Sequence, residues 1–391
     1  MSMLRSLNRN LAYLFVINIA FGLGAQLINP LFPLFLESTG ASEAQIAYII
    51  SAGSLAATLL MFPSGIIVDR VGKKLFLVLN AVLSAVSIYM ISGSGSWSVI
   101  MPFYVVYSLV GAFFMPARMS MISENATPDN RATLFGLMNL AWPLTGIMSP
   151  VLSGWIVETS GWSNVYLVAT VASGVSLLPA LLIKEKKREP GVEVKPPNLR
   201  GLLQRDLLRV LVVMFIAPFL MTTAMGAVNL VIPLYLSSAY NLSPSMIGLF
   251  FTASSVLTLF AQVPSGRLAD RFDPKRILMI CTGVIPMFFA VWHFTDNWVL
   301  LLVSYALSVG IWSVMWPSNL TILSMNIPRE LQGAGFGINS TGVRLGFTVG
   351  PFIGSYLYGN VFPTAPFLFA AFSALLGLPV ISFLKNRRNL S

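Results

Sequence analysis

The residues able to do chemistry here are few, and their types favour electrostatics over bond-making. The 391-residue chain has one histidine and one cysteine, and its 14 acidic residues fall in loops or at the ends of long apolar runs rather than inside them. With no paired carboxylates at depth, no His/Cys cluster and no nucleophile beside a base, the sequence predicts no enzyme, metal or cofactor. Cys281 reads as a small core filler, and His293, close to the end of its run, as an interfacial bystander. The exceptions are two arginines inside apolar runs, Arg118 and Arg344, at depths where a charge is costly and kept for a purpose. Arg118 is six residues before Glu124 and within snorkelling reach of it or of Asp69, which makes it a gate partner first and a substrate contact second. Arg344 lies near the middle of its run and needs a water-filled cavity, an anionic ligand group or amide partners such as Asn339.

A second constellation lies in the loops. Gly65-x-x-x-Asp69-Arg70-x-Gly72-Lys73-Lys74 follows Pro63-Ser64, and 201 residues later Pro264-Ser265-Gly266-x-x-x-Asp270-Arg271 returns with Lys275-Arg276 behind it. Asn29 and Pro33 recur as Asn229 and Pro233, Pro116 as Pro317, Gly136 as Gly337, and Pro150 as Pro351. A period this long is a duplicated folded half, not a solenoid unit, and duplicated halves in an apolar chain point to secondary transport. Glycines at Gly65 and Gly72 let the turn pack tightly. A carboxylate such as Asp69 set against a helix N-terminus gains about 0.3–2 kcal/mol, a contact that can break and re-form.

The elements that must position these groups are membrane helices. Residues are 56% hydrophobic and 10% charged with a mean hydropathy of +0.78, against about 25% charged in soluble domains. Twelve apolar runs, approximately 11–36, 45–67, 75–93, 98–122, 132–157, 164–183, 210–236, 246–268, 277–294, 298–323, 333–359 and 364–384, each suit a helix crossing about 30 Å of hydrocarbon. The expected fold is all-α integral membrane, in two pseudo-symmetric six-helix bundles. Residues 1–183 form the first bundle, 184–209 a basic linker and 210–391 the second. Every Lys and Arg except Arg118 and Arg344 lies at a terminus or in an even-numbered loop, so both termini are predicted cytoplasmic, with Glu37, Glu43, Glu158 and Asp296 outside. This pattern accounts for the net charge of +10 without nucleic acid. The N-terminal run has no small-residue cleavage site and is read as a retained first helix. Leucines alternating with Arg200, Arg205 and Arg209 in the linker fit either an amphipathic helix on lipid headgroups or a solvated connector.

The repeated Gly-x-x-x-Asp-Arg-x-Gly loop, the span number, the charge pattern and the central linker together resemble the major facilitator superfamily, most closely its twelve-span drug and small-solute branch. That resemblance implies a gating motif at Gly65, Asp69, Arg70, Gly72 and Lys73, with Gly266, Asp270 and Arg271 as its second copy and Arg118 alongside. Asp69 would meet the start of span eleven near Gly333, and Asp270 the start of span five near Ala132. Gly337, Gly346, Gly350, Pro351 and Gly354 resemble the antiporter branch's span-five motif but stand in span eleven, while span five keeps Gly146, Ser149, Pro150 and Gly154. Close helix packing explains both stretches. Tyr107 stands where that branch carries an arginine.

By the same resemblance, spans one, four, seven and ten line a cavity flanked by two, five, eight and eleven. Gln26, Asn29, Tyr104, Tyr107, Asn139, Trp142, Asn229, Tyr305, Trp312, Asn339 and Arg344 then become candidate substrate contacts, joined by Ser108, Thr222, Thr223, Ser308 and Trp316. The expected function is secondary active transport of a small molecule by alternating access from the cell membrane, foremost efflux of a drug-like or amphiphilic compound. An organic-anion uniporter or exchanger is the alternative, and a non-transporting sensor the reading from another class. No Gly-x4-Gly-Lys-Ser/Thr loop is present to bind ATP, so a proton or a counter-anion is the expected coupling partner, and a monomer in the lipid bilayer the expected form.

Overall fold

A backbone amide in hydrocarbon finds no water, so a long apolar run must close its hydrogen bonds within itself. The computed structural model describes residues 9–125, 131–185, 204–328 and 331–384, and its regular structure there is helical throughout. In chain order the helices are α1 Arg9–Ile28, α2 Phe32–Ser38, α3 Glu43–Val71, α4 Lys73–Ser92, α5 Trp97–Asn125, α6 Arg131–Asn139, α7 Ala141–Ser160, α8 Trp162–Val175 and α9 Leu177–Leu182. After the linker follow α10 Arg205–Tyr240, α11 Pro244–Arg271, α12 Pro274–Phe294, α13 Trp298–Asn326, α14 Gln332–Asn360, α15 Ala365–Leu375 and α16 Gly377–Ser382. Among the described residues, eleven helical stretches are long and apolar enough to cross a membrane. The remaining predicted span is α14, whose 29 residues suffice in length but are diluted by glycine and by Arg344.

The helix count exceeds the span count because some spans are broken, and three of the breaks stand four residues before a proline. A proline ring clashes with the carbonyl four residues back and removes a hydrogen bond. Pro143 thus stands four residues beyond the end of α6 at Asn139, Pro179 four beyond the end of α8 at Val175, and Pro379 four beyond the end of α15 at Leu375. Starts are set by caps. Ser42 and Gln45 form a capping box, with the Ser42 N–H donating to Gln45 Oε1 at 2.9 Å, and Asn297 Oδ1 accepts from the Val299 N–H at 3.0 Å.

Two compact units emerge. The first comprises Met1–Arg188 with Pro233–Val256, the second Glu189–Ile232 with Leu257–Ser391. In the first, α3 and α4 pack on α5, α4 on α8, and α1 on α7 and α8. Leu14, Ile17, Phe114, Met121, Leu134 and Met138 form its buried apolar centre, with Phe21 against Phe114 at a ring separation of 4.5 Å. Gly22 and Gly53 allow this closeness: a Cβ on Gly22 would stand 2.7 Å from Thr145 Oγ1, and one on Gly53 2.7 Å from the Tyr104 ring. In the second, α12 packs on α13 and α15, and Trp292 stacks on Phe367 at 4.5 Å. There the glycine stripe of α14 presses on α10, where a Cβ at Gly346 would lie 2.6 Å from the Phe219 carbonyl oxygen and one at Gly354 2.6 Å from that of Ala227. The span-eleven motif is therefore a packing surface within its own unit.

Candidate functional site

The signature loop is a structured corner. Gly72 has φ +118 and ψ 143, a conformation open to glycine alone, and separates α3 from α4. The Lys73 N–H donates to Glu185 Oε1 at 2.7 Å and the Lys74 N–H to Glu185 Oε2 at 3.4 Å, so a carboxylate from beyond α9 caps the N-terminus of α4. Lys73 Nζ pairs with Glu124 at the end of α5, and Lys74 Nζ donates to the Leu181 carbonyl at 2.6 Å. Asp69 and Arg70 are exposed in the last turn of α3. Any helix N-terminus that Asp69 meets must therefore belong to another element. At Gly65 an added Cβ meets nothing within 4 Å among the described residues, so tight packing explains Gly72 and not Gly65.

The second copy repeats part of this. Lys275, 201 residues after Lys74, donates from Nζ to the Ser382 carbonyl at 3.0 Å and also to that of Leu384, and Ser382 is 201 residues after Leu181. The cap differs: Asp273 accepts from the Lys275 N–H at 3.0 Å and so caps α12 from its own chain neighbourhood. Arg271 is exposed in the last turn of α11. The side chains of Asp270 and Ala132, and the surroundings of Gly266 and Gly333, lie outside the described residues, as does most of the predicted linker.

Arg118 does not reach for Glu124, which Lys73 already holds. Its side chain is 7% exposed and its Nη2 donates to Asn139 Oδ1 at 2.7 Å, tying α5 to α6. In the second unit Asn319, at the equivalent place on α13, donates from Nδ2 to Asn339 Oδ1 at 2.9 Å on α14. Both donors stand two residues after a helix-internal proline, Pro116 or Pro317. Elsewhere the asparagines recur but the tyrosine shifts by about a turn: Asn29 engages the Tyr107 hydroxyl, whereas the Tyr305 hydroxyl, on the residue that repeats Tyr104, donates to Asn229 Oδ1 at 3.2 Å. Asn339, expected to compensate Arg344, is thus committed to Asn319, and Arg344 is half-buried with no ion pair among the described residues.

The remaining candidates divide by unit. Gln26 is buried beside Gly146, Tyr104 stacks on Phe32 at 4.5 Å and sits 6.3 Å from the Tyr107 ring, and Trp142 is exposed. Trp312 and Trp316, one turn apart on α13, stack at a centroid separation of 6.2 Å. They border a small cleft bounded by α10, α12, α13, α14 and α16 and lined by Met221, Thr222, Thr282 and Asn319 among others. Its lining carries no charged side chain. Glu158, at the end of α7, accepts from the Ser245 N–H at 2.8 Å and caps the start of α11 within the first unit. Glu185 and Asn319 escaped the sequence reading because their roles depend on partners 112 and 20 residues away; only their polarity inside or beside apolar runs marked them.

A family model described as Major Facilitator Superfamily matches residues 14–223 and 214–391. Multidrug resistance protein 2 of Bacillus subtilis (strain 168) is 27% identical over 381 residues, covering 94% of this chain and 93% of its own length. Quinolone resistance protein NorA of Staphylococcus aureus (strain COL) is 24% identical over 371 residues, covering 94% of each. A crystal structure of a bacterial homolog of the human lysosomal transporter Spinster, in an inward-facing and occupied conformation, superposes with a TM-score of 0.72 at 13% identity, covering 96% of this chain and 93% of its own.

Proposed function

The chain belongs to the Major Facilitator Superfamily, and from that premise we propose that this multi-pass membrane protein is a secondary active exporter of lipophilic, drug-like compounds. The observation that carries the reading is the uncharged cleft of the second unit, walled by two tryptophans and two methionines, in a chain similar along 94% of its length to proteins named for multidrug and quinolone resistance. Apolar and aromatic walls with few polar groups are what a drug-sized ligand needs, and methionine adapts to many shapes. Binding energy comes from apolar burial at about 25 cal/mol per Å2, which does not require a charged partner.

The charge pattern supports a cell-membrane location with both termini in the cytoplasm, and the corner formed by Asp69, Arg70, Gly72 and Lys73, with Asp270 and Arg271 as its counterpart, serves as the cytoplasmic gate. Lys73 with Glu124 and Glu185 anchors the corner, and Asp69 and Arg70 are exposed beside it in the last turn of α3. Transport proceeds by alternating access of a monomer, driven by a proton or a counter-anion. Purified protein in proteoliposomes should expel a lipophilic dye, and Asn in place of Asp69 should slow that flux at equal protein content. A dye flux unchanged by an imposed pH gradient would remove proton antiport. Movement of an organic anion but no lipophilic dye would favour Arg344 as the substrate contact and overturn the drug-like assignment.

A further inference from the structure

Three basic segments converge where α16 ends. Lys275, in the first turn of α12, donates from Nζ to the Ser382 carbonyl at 3.0 Å and to that of Leu384, while the Arg209 guanidinium, near the start of α10, lies over the Phe383 ring at 5.8 Å. The chain runs on from Leu384 into Lys385, Arg387 and Arg388. Segments 200–209, 273–276 and 385–391 together carry eight basic residues and two acidic ones, Asp206 and Asp273. Asp273 is spent as the cap of α12 and stands 3.9 Å from the exposed Arg276, and the side chain of Asp206 lies outside the described residues. Neither Arg209 nor Lys275 forms an ion pair among the described residues. The matching corner of the first unit brings its own anions, Glu124 on Lys73 and Glu185 on the start of α4, but the residues 201 places later are Met325 and Asn386, both neutral. Like charges gathered without carboxylates repel, so this corner favours an anion from outside the chain.

Beside the charges the surface is apolar. Phe383 is 57% exposed, Ile280, one turn beyond Arg276 on α12, is 65% exposed, and Val212 on α10 is 46% exposed. Cations at the end of a membrane span, next to an exposed aromatic and aliphatic strip, suit a molecule with an anionic head and a hydrocarbon tail. We propose that the ends of α10, α12 and α16 form a site for one phospholipid of net negative headgroup, its phosphate bridging Arg209 and Lys275 and an acyl chain lying on Phe383 and Ile280. The planar fork of Arg209 matches two phosphate oxygens, and Lys275 has one of its three N–H groups left after the two carbonyls. The site lies within the second unit and is independent of what the protein transports. It also makes the basic end of the linker a headgroup contact instead of a solvated connector.

Native mass spectrometry of the purified full chain, titrated with lipids of one acyl composition, reads the binding directly. Phosphatidylglycerol should bind about tenfold more tightly than zwitterionic phosphatidylcholine. Glycerol 3-phosphate, which offers the phosphate without acyl chains, should show no saturable binding. Arg209→Gln should weaken phosphatidylglycerol about fivefold and leave phosphatidylcholine unchanged, and Arg209→Lys, which keeps the charge, should recover most of the loss. Lys275→Gln should weaken phosphatidylglycerol as well. Because it also releases the end of α16 and can impair folding, the two Arg209 variants carry the test. Lys184→Gln removes an exposed charge from the first unit and should change nothing, which separates a site from attraction by overall charge. Equal affinities for the two lipids, a phosphatidylglycerol affinity indifferent to Arg209→Gln, an equal loss from Lys184→Gln, or tight binding of glycerol 3-phosphate alone would each overturn the proposal.

Discussion

Arg118 and Asn319 do the same work with different chemistry. Each stands two residues past a helix-internal proline and holds an asparagine about 20 residues further on, across the turn into the next helix. In the first unit the donor is a buried cation whose planar guanidinium reaches Asn139; in the second it is a neutral amide. A lysine at 118 keeps the charge but loses the fork, and its compact ammonium resists desolvation more strongly. Arg118→Lys should therefore lower the thermal unfolding midpoint of the detergent-solubilised protein, with a loss of about 1.5–3 kcal/mol for a hydrogen bond to a charged group. An unchanged midpoint would mean that the arginine is held by something other than Asn139. Asn139 and Asn339, picked as ligand contacts from their polarity, prove to be partners of these residues.

Between helices, the corner from Asp69 to Lys74 separates two kinds of constraint. Gly72 is fixed by backbone geometry, since φ +118 with ψ 143 strains any side chain, and a Cβ would also stand 3.0 Å from Glu185 Oε2. Gly72→Ala is expected to cost about 1–3 kcal/mol, read as a lower unfolding midpoint and reduced surface expression. Glu185→Gln keeps an acceptor over the start of α4 and gives up only the charge, so about 0.3–1 kcal/mol should be lost. If the second change proved the costlier, the corner would be held by charge and not by backbone conformation. The same scale explains the broken spans. Pro143, Pro179 and Pro379 stand four residues past a helix end, where the ring would meet a carbonyl, whereas Pro116, Pro150, Pro317 and Pro351 lie inside unbroken helices, so a bare sequence marks candidate breaks but not which of them are used.

For the whole molecule, the decisive property is which face of the bilayer each loop occupies. In a Cys281→Ala background, Glu43→Cys and Asp296→Cys place single thiols at exposed positions beside two odd-numbered loops. Both should react with a membrane-impermeant maleimide added outside intact cells, and Lys184→Cys should react only after permeabilisation. Labelling of Glu43→Cys and Asp296→Cys from opposite sides would break the two-bundle topology and, with it, the assignment of the Asp69 corner to the cytoplasm. Duplication is also visible at this scale as chemistry. Lys74 to Leu181 recurs as Lys275 to Ser382, so the repeat in the sequence survives as a repeat of hydrogen bonds.

From the residues alone came the membrane, the helices and the expectation of twelve spans in duplicated halves. These depend on composition, run length and period, and hydrocarbon imposes them on any chain because it leaves backbone groups no other solution. The signature corner was legible for a similar reason, as its glycine and charges are contiguous. Tertiary structure alone decided that Glu185 caps α4, that Arg118 turns to Asn139 and not to Glu124, and that Asn319 holds Asn339. Those facts depend on the rotation of one helix about its axis against others brought close by glycine, and a run that is apolar all round carries almost no periodic signal of which face turns inward.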